Sequence, residues 1–372
     1  FTTEKLNGKD LVVKVNIPMA AGLRSSSTLV VGAAEAAVAI NCLDTFPAQL
    51  VDLCGEGEWF VGTRGGSADH AAVKFGQKGK VVKVTFFDFS IVDVVPFLQD
   101  YALVVCDSGL KAQKTGNARD LFNHRVSCYR IGFQLIKKYF PQYASVLDHL
   151  RDVNMKHLNI PLCWIYRMLL HLPEKASREE LRSFLPDLDL DMYFKQHNPP
   201  PDGQYPIRGV VLFGLAEMER ADFFDDAMRE GRVEDVGRRM NISHDGDRVI
   251  SIDNDGNETP YQAPTSNDYI LNLIEDLESG DLQRVSRAQL QSQPGSYCCS
   301  LPEIDRMVHI SLHTEGVAGA QLAGAGLGGC MMVFTHRDAV SELIHNLTEQ
   351  YYRPQDRQPA ILICRPVAGS NI

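Results

Sequence analysis

Apolar and polar positions along the chain follow two different periods. Leu11-Val12-Val13-Lys14-Val15 is an apolar run of strand length, and residues 29–43, dominated by Val and Ala, read as a buried helix. A second helix is predicted at 49–60 and a strand at 80–87. Tyr101-Ala102-Leu103-Val104-Val105-Cys106 opens a new unit as a strand, followed by a long amphipathic helical pattern over 118–139. Pro161, Pro173, Pro186 and the run Pro199-Pro200-Pro201 punctuate 141–206, which reads as turns or a linker. Helical patterns return at 214–230 and 268–277, with a polar, turn-rich stretch at 245–262 between them. Residues 330–334 and 360–364 read as closing strands. No regular βαβ alternation is sustained, so the order fits an α+β protein of two domains rather than a doubly wound sheet.

Composition narrows the picture. The chain has 372 residues, 44% hydrophobic and 23% charged, as a globular protein with ample core requires. Its formal net charge of -10 argues against a nucleic-acid partner or an acidic membrane surface. No apolar run reaches membrane-span length and no signal peptide is visible. The nine cysteines are scattered without a CxxC pair, which supports neither a zinc site nor a disulfide framework. A cytoplasmic protein is the expectation. The first residue is Phe1, not Met, and the chain is expected to be a fragment, a processed chain or a partial one.

Three segments of small residues carry candidate chemistry. Pro18-Met19-Ala20-Ala21-Gly22-Leu23-Arg24-Ser25-Ser26-Ser27 links the first predicted strand to the first predicted helix. Such a loop can wrap an anion, because Gly leaves room and a helix start offers free N–H donors with a favourable dipole. A Ser hydroxyl there can face magnesium, although a Ser-rich helix cap serves structure equally well. The second segment, Gly62-Thr63-Arg64-Gly65-Gly66-Ser67-Ala68-Asp69-His70, delivers a carboxylate after a Gly-Gly turn. Asp69 either meets a ligand or caps the following helix. Glu58, with Glu56 nearby, can reach the same cavity or remain a surface charge. The third, Gly319-Ala320-Gln321-Leu322-Ala323-Gly324-Ala325-Gly326-Leu327-Gly328-Gly329-Cys330, implies close backbone approach to a ligand or another loop.

In this order, the three segments resemble the GHMP kinase family, and within it the galactokinase-like sugar kinases. Residues 18–27 match a Pro-x-x-x-Gly-Leu-x-Ser-Ser-small pattern, 319–330 resemble the third family motif, and 62–69 the segment bearing the catalytic aspartate. Asp107-Ser108-Gly109-Leu110-Lys111, Ser243-His244 after a helix, and Ser300-Leu301-Pro302-Glu303-Ile304-Asp305 are further echoes. The resemblance implies a two-domain fold: a ribosomal-protein-S5-like N-terminal domain over 1–100 and a ferredoxin-like C-terminal domain over 101–372, with an insertion around 141–206. It implies an ATP-dependent kinase acting on a monosaccharide, at the anomeric hydroxyl, with ATP and Mg2+. A kinase for another small alcohol or for a uronic or deoxy sugar, and a sugar and ATP sensor without turnover, are the alternatives.

By the same resemblance, Gly22, Leu23, Arg24, Ser25, Ser26 and Ser27 would cradle the ATP phosphates. Gly324, Gly326 and Gly328 would shape the floor beneath them. Ser26 and Glu58 would hold magnesium. Asp69 would orient and deprotonate the attacking sugar hydroxyl, in a reaction that needs mostly positioning and charge neutralisation. The sequence departs from the family at four points. The first motif, with its Arg near the transferred phosphate, is absent. Arg24 replaces a small residue, His70 stands where Gln or Asn follows the catalytic Asp, and Phe122-Asn123-His124-Arg125 occupies a stretch where galactokinases carry a sugar-contacting Tyr. The sugar and the oligomeric state are not legible.

Overall fold

The computed structural model describes residues 6–8, 10–14, 25–61, 66–86, 89–110 and 117–370. Helix α1 (Ser25–Ile40) begins within the serine run. Helix α2 (Pro47–Glu58) opens on Pro47, where a missing N–H costs nothing, and α3 (Ala68–Phe75) stops before Gly76. Val31, Leu50 and Cys54 form the buried centre of this three-helix group. Strands β1 (Lys80–Thr85) and β2 (Ser90–Pro96) follow as an antiparallel hairpin. Residues 11–14 depart from expectation: they form no strand and lie exposed. No described strand pairs with them, so their backbone groups are left to water rather than to a ladder. Val15 and Phe87 of the expected strands lie outside the described residues.

Strand β3 (Tyr101–Asp107) leads to α4 (Asn117–Tyr139). The stretch 141–206 is not a linker. It holds α5 (Met155–Leu158), α6 (Leu162–Leu170), α7 (Arg178–Phe184), α8 (Asp191–Phe194) and the short paired strands β4 (Ala176–Ser177) and β5 (Gln204–Tyr205). Leu147, Ile165, Leu169, Leu181, Tyr193 and Tyr205 are buried in the largest hydrophobic core, with residues of α4, α9 (Ile207–Arg229) and α11 (Asn267–Glu278). Pro161 and Pro206 sit just before α6 and α9 and start those helices rather than interrupt them. Helix α9 therefore begins seven residues earlier than its apolar pattern suggests.

Helix α10 (Val233–Asp247) contains Ser243 and His244 rather than preceding them. The turn-rich stretch after it folds as a hairpin of β6 (Ile250–Ile252) and β7 (Glu258–Pro260). Next come α12 (Leu282–Arg287), α13 (Pro302–Leu312), β8 (Val317–Leu322), β9 (Cys330–His336), α14 (Val340–Leu347) and β10 (Ile361–Cys364). Strands β10, β3, β9 and β8 form one antiparallel sheet in that order. Counted within this unit the order is 4-1-3-2, with helices joining the first strand to the second and the third to the fourth. That is the ferredoxin-like arrangement. Ala102, Val104, Met331 and Val333 face α13 and α14, while Tyr101, Met332 and Phe334 turn toward β2, α9 and α10.

The chain's last described residues close the N-terminal group. Glu35, nearly buried on α1, pairs with Lys74 of α3 and accepts the Ser370 hydroxyl at 2.8 Å. The Gly369 N–H donates to the Gly76 carbonyl at 2.7 Å. Among the described residues no helix is long and apolar enough to cross a membrane.

Candidate active site

Three helix ends meet at one buried cluster. Ser27 lies in the first turn of α1 with no exposed surface, and its hydroxyl donates to Glu58 Oε1 at 3.2 Å. Glu58 is the last residue of α2. Its second oxygen lies 3.9 Å from Nε2 of His70, which is fully buried in the first turn of α3. Gly55 lets α2 and α3 approach, because a methyl group there would sit 2.8 Å from the Ser67 Cβ. Asp69 directly precedes His70, so it projects about 100° around the helix from it. Asp69 is half-buried, and the start of α3 favours its negative charge.

The expected site residues fall out as follows. Glu58, rather than the exposed Glu56, is the carboxylate turned toward the start of α1. Ser27 is the serine in described contact with it, and Ser26 is half-buried one residue earlier. Ser25 starts the helix. Gly22, Leu23, Arg24 and residues 62–65 lie outside the described residues. Sequence reading missed His70 as Glu58's neighbour, although its place immediately after Asp69 was the available signal.

The glycine turn between β8 and β9 has a backbone that side chains resist. Gly324, Gly326, Gly328 and Gly329 all have positive φ (77, 76, 122 and 82°), and a methyl group on Gly326 would lie 2.1 Å from the Cys299 carbonyl oxygen. The Gly329 N–H donates to Leu110 O at 2.7 Å, and Gly329 O accepts from both the N–H and the hydroxyl of Ser108, at 2.9 and 2.6 Å. The partners described for this turn are thus the 108–110 loop and Cys299, whose carbonyl also accepts from the Leu327 N–H at 2.7 Å. Asp107, at the base of that loop, has its carboxyl pushed up by burial, against the opposing pull of the Gly109 N–H and Arg357.

Two sequence echoes converge elsewhere. His244 Nε2 lies 3.2 Å from Asp305 Oδ1, and both side chains are fully buried. The other Asp305 oxygen accepts the N–H groups of Val249 and Ile250 at 2.9 Å each, and Ser300 donates its hydroxyl to Oδ1. Burial pushes the Asp305 carboxyl up, but the His244, Ser300 and backbone hydrogen bonds outweigh it and leave the group below its usual range. Asp247, at the end of the same helix, goes the other way. Burial, opposed by the Cys299 N–H and reinforced by Glu217 and Asp305, raises it to about 7.

The donor set at the helix ends suits magnesium. A hydroxyl beside one carboxylate is the sparse hard-oxygen set this ion accepts when phosphate oxygens complete its shell. Among the described residues no group of three or more His, Cys, Asp or Glu stands ready to hold a metal alone.

Segments at both ends of the chain match models of a known family. The GHMP kinases N terminal domain matches residues 2–77 and the GHMP kinases C terminal domain residues 273–353. Over these two segments the chain is GHMP kinase-like, and its relatives along nearly the whole length are galactokinases. It is 24% identical to the galactokinase of Roseiflexus sp. (strain RS-1) over 365 residues, covering 98% of this chain and 70% of that protein. It is 23% identical over 409 residues to the galactokinase of Schizosaccharomyces pombe, covering 99% and 71%. The fold of Lactococcus lactis galactokinase, solved with galactose, superimposes with a TM-score of 0.62 at 18% identity, over 95% of this chain and 68% of that one.

Proposed function

We propose that this protein transfers the γ-phosphoryl group of ATP to the anomeric hydroxyl of a monosaccharide. The observation carrying the reading is Asp69 in the first turn of α3, beside the buried Ser27–Glu58–His70 cluster, in a chain related along nearly its whole length to galactokinases. Asp69 holds the sugar hydroxyl and takes its proton as the oxygen attacks phosphorus. The new O–P bond forms while the bond to the ADP oxygen breaks. The N–H groups at the start of α1 face the ATP phosphates, with Gly22 to Ser27 as their cradle and Gly324, Gly326 and Gly328 as the floor. Ser26 and Glu58 would hold magnesium, with Ser27 keeping Glu58 in place. Bound there, Mg2+ neutralises charge on the phosphates.

The first domain is taken as 1–100 and the second as 101–372. Supporting that division is Tyr101, which starts the first strand of the ferredoxin-like sheet. A cytoplasmic enzyme without nucleic-acid or membrane partners fits the net charge of -10.

The test is ADP release with ATP, magnesium and a panel of free monosaccharides. Sugar-dependent ADP release is expected. Thermal stabilisation by a sugar without ADP release from any member of the panel would establish a sensor instead.

A further inference from the structure

Edge strand β10 of the ferredoxin-like sheet is followed by a segment, 366–370, that leaves the sheet and crosses to the N-terminal helices. Backbone hydrogen bonds hold it there. The Pro366 carbonyl accepts the Gly79 N–H at 3.0 Å, just before β1. The Gly369 N–H donates to the Gly76 carbonyl at 2.7 Å, and the Ser370 N–H to the Val73 carbonyl at 2.6 Å. Val73 lies in the last turn of α3, where carbonyls find no partner within the helix. The approach is close enough to require glycine. A methyl group on Gly369 would sit 2.6 Å from the Lys74 carbonyl oxygen and 2.7 Å from that of Val73.

Side chains add a second hold at the same point. The Ser370 hydroxyl and the Lys74 ammonium both donate to Oε1 of Glu35, which is 5% exposed. A buried carboxylate needs such donors, and losing either leaves its charge less compensated. Glu35 stands about 12 Å further along α1 than Ser27. Helix α1 is therefore tied to α3 at two levels. At its start the link runs through Glu58 to His70, and further along it runs through Glu35 to Lys74. Helix α3 has only 8 residues, and Asp69 lies little more than one turn before Lys74. Turning so short a helix by about 10° shifts a side-chain tip at its roughly 5–6 Å radius by about 1 Å. Misplacement of that order can cost ~100-fold in rate.

We propose that residues 366–370 form a strap that sets Asp69 for phosphoryl transfer, with Glu35 as the positioning residue on which Ser370 and Lys74 converge. The strap ties the far end of α3 to the ferredoxin-like sheet. The angle of α3 against the start of α1 is thereby fixed from outside the site. This role rests on the reading of Asp69 as the group that takes the sugar proton.

Gly369→Ala wedges the strap off α3, and Ser370→Ala removes only the hydroxyl. Steady-state kinetics with ATP, magnesium and the sugar that supports turnover, assayed below each variant's melting transition, read the effect on Asp69. Hydrogen exchange of peptides spanning 66–80 reads the hold on α3 without any turnover. Exchange there should quicken about tenfold or more in Gly369→Ala. Its kcat should fall about tenfold or more while KM for ATP and for sugar stays within about twofold, because ground-state binding does not use the strap. Ser370→Ala should lose less, and Ser370→Thr, which keeps the hydroxyl, should recover most of that loss. Parent-like kcat in both Gly369→Ala and Ser370→Ala overturns the proposal. So does unchanged exchange over 66–80, or a loss carried by KM alone. Where Gly369→Ala does not fold, Glu35→Gln and Ser370→Ala carry the same test. A parent chain that releases no ADP with any sugar removes the phosphoryl-transfer reading and this role together. An active parent with unaffected variants removes this role alone.

Discussion

His244 on α10 and Asp305 on α13 meet at 3.2 Å with neither side chain exposed, and so bolt one helix to the other beside the edge strand β8. The Leu322 N–H approaches His244 Nδ1 at 3.3 Å, which leaves Nε2 carrying the proton that faces the carboxylate. Removing one member of a buried pair strands the other, so Asp305→Ala should cost ~3 kcal/mol or more. Because the folded Asp305 carboxyl lies below its ordinary range, its contribution is present above about pH 4 and is lost as pH falls through the folded value. Urea unfolding from pH 3 to 7 measures both. An Asp305→Asn variant whose stability falls with acid as steeply as the parent's would refute the assignment.

Asp247 should act in the opposite sense. Between about pH 4 and its folded value of about 7, the folded chain keeps a proton that the unfolded chain has released. Stability from this group is therefore full below pH 4 and declines as pH rises through 7. Asp247→Asn keeps an acceptor for the Cys299 N–H and removes the charge. It should raise the melting temperature at pH 8 and leave it nearly unchanged at pH 4. A lower melting temperature at pH 8 would contradict this.

Asp69→Asn should abolish sugar-dependent ADP release while nucleotide affinity stays within a few-fold. The substitution keeps shape and removes the proton acceptor, an effect on the order of 10²-fold or more. Turnover that survives it moves the catalytic role elsewhere. Calorimetric titration with ADP, beside the kinetic assay, separates loss of chemistry from loss of binding.

Glu58→Gln should raise the magnesium concentration needed for half-maximal activity about tenfold or more, because the site loses its carboxylate. Ser27→Ala should instead cost stability, ~1 kcal/mol for one lost hydrogen bond, with a smaller effect on magnesium dependence. Equal magnesium responses in the two variants would assign the metal to Ser27 rather than Ser26.

Two of the helices were legible because their apolar spacing is local. α4 and α11 fall within one residue of the ends their patterns suggest. The glycine turn was legible for a similar reason, since small residues at short spacing advertise backbone that Cβ atoms would obstruct. The 141–206 segment was not. Two of its prolines, Pro161 and Pro206, stand at helix starts, and Leu169, Leu181 and Tyr205 find their partners on distant helices. The Ser27–Glu58–His70 cluster was half legible: the motif pattern singles out the serines and Glu58, but only packing decides which hydroxyl turns inward. No local pattern announces that His244 and Asp305 touch, because that depends on how α10 and α13 cross the sheet.

Gly329 is held from both sides by the 108–110 loop, donating to Leu110 and accepting twice from Ser108. That loop leaves the end of β3, and Asp107 stands opposite Cys330 in the neighbouring strand, so both loops leave the same end of the sheet. The two therefore behave as one latch: displacing the glycine turn means breaking three hydrogen bonds in concert. A cosubstrate resting on that turn would feel the stiffness of the central strand pair.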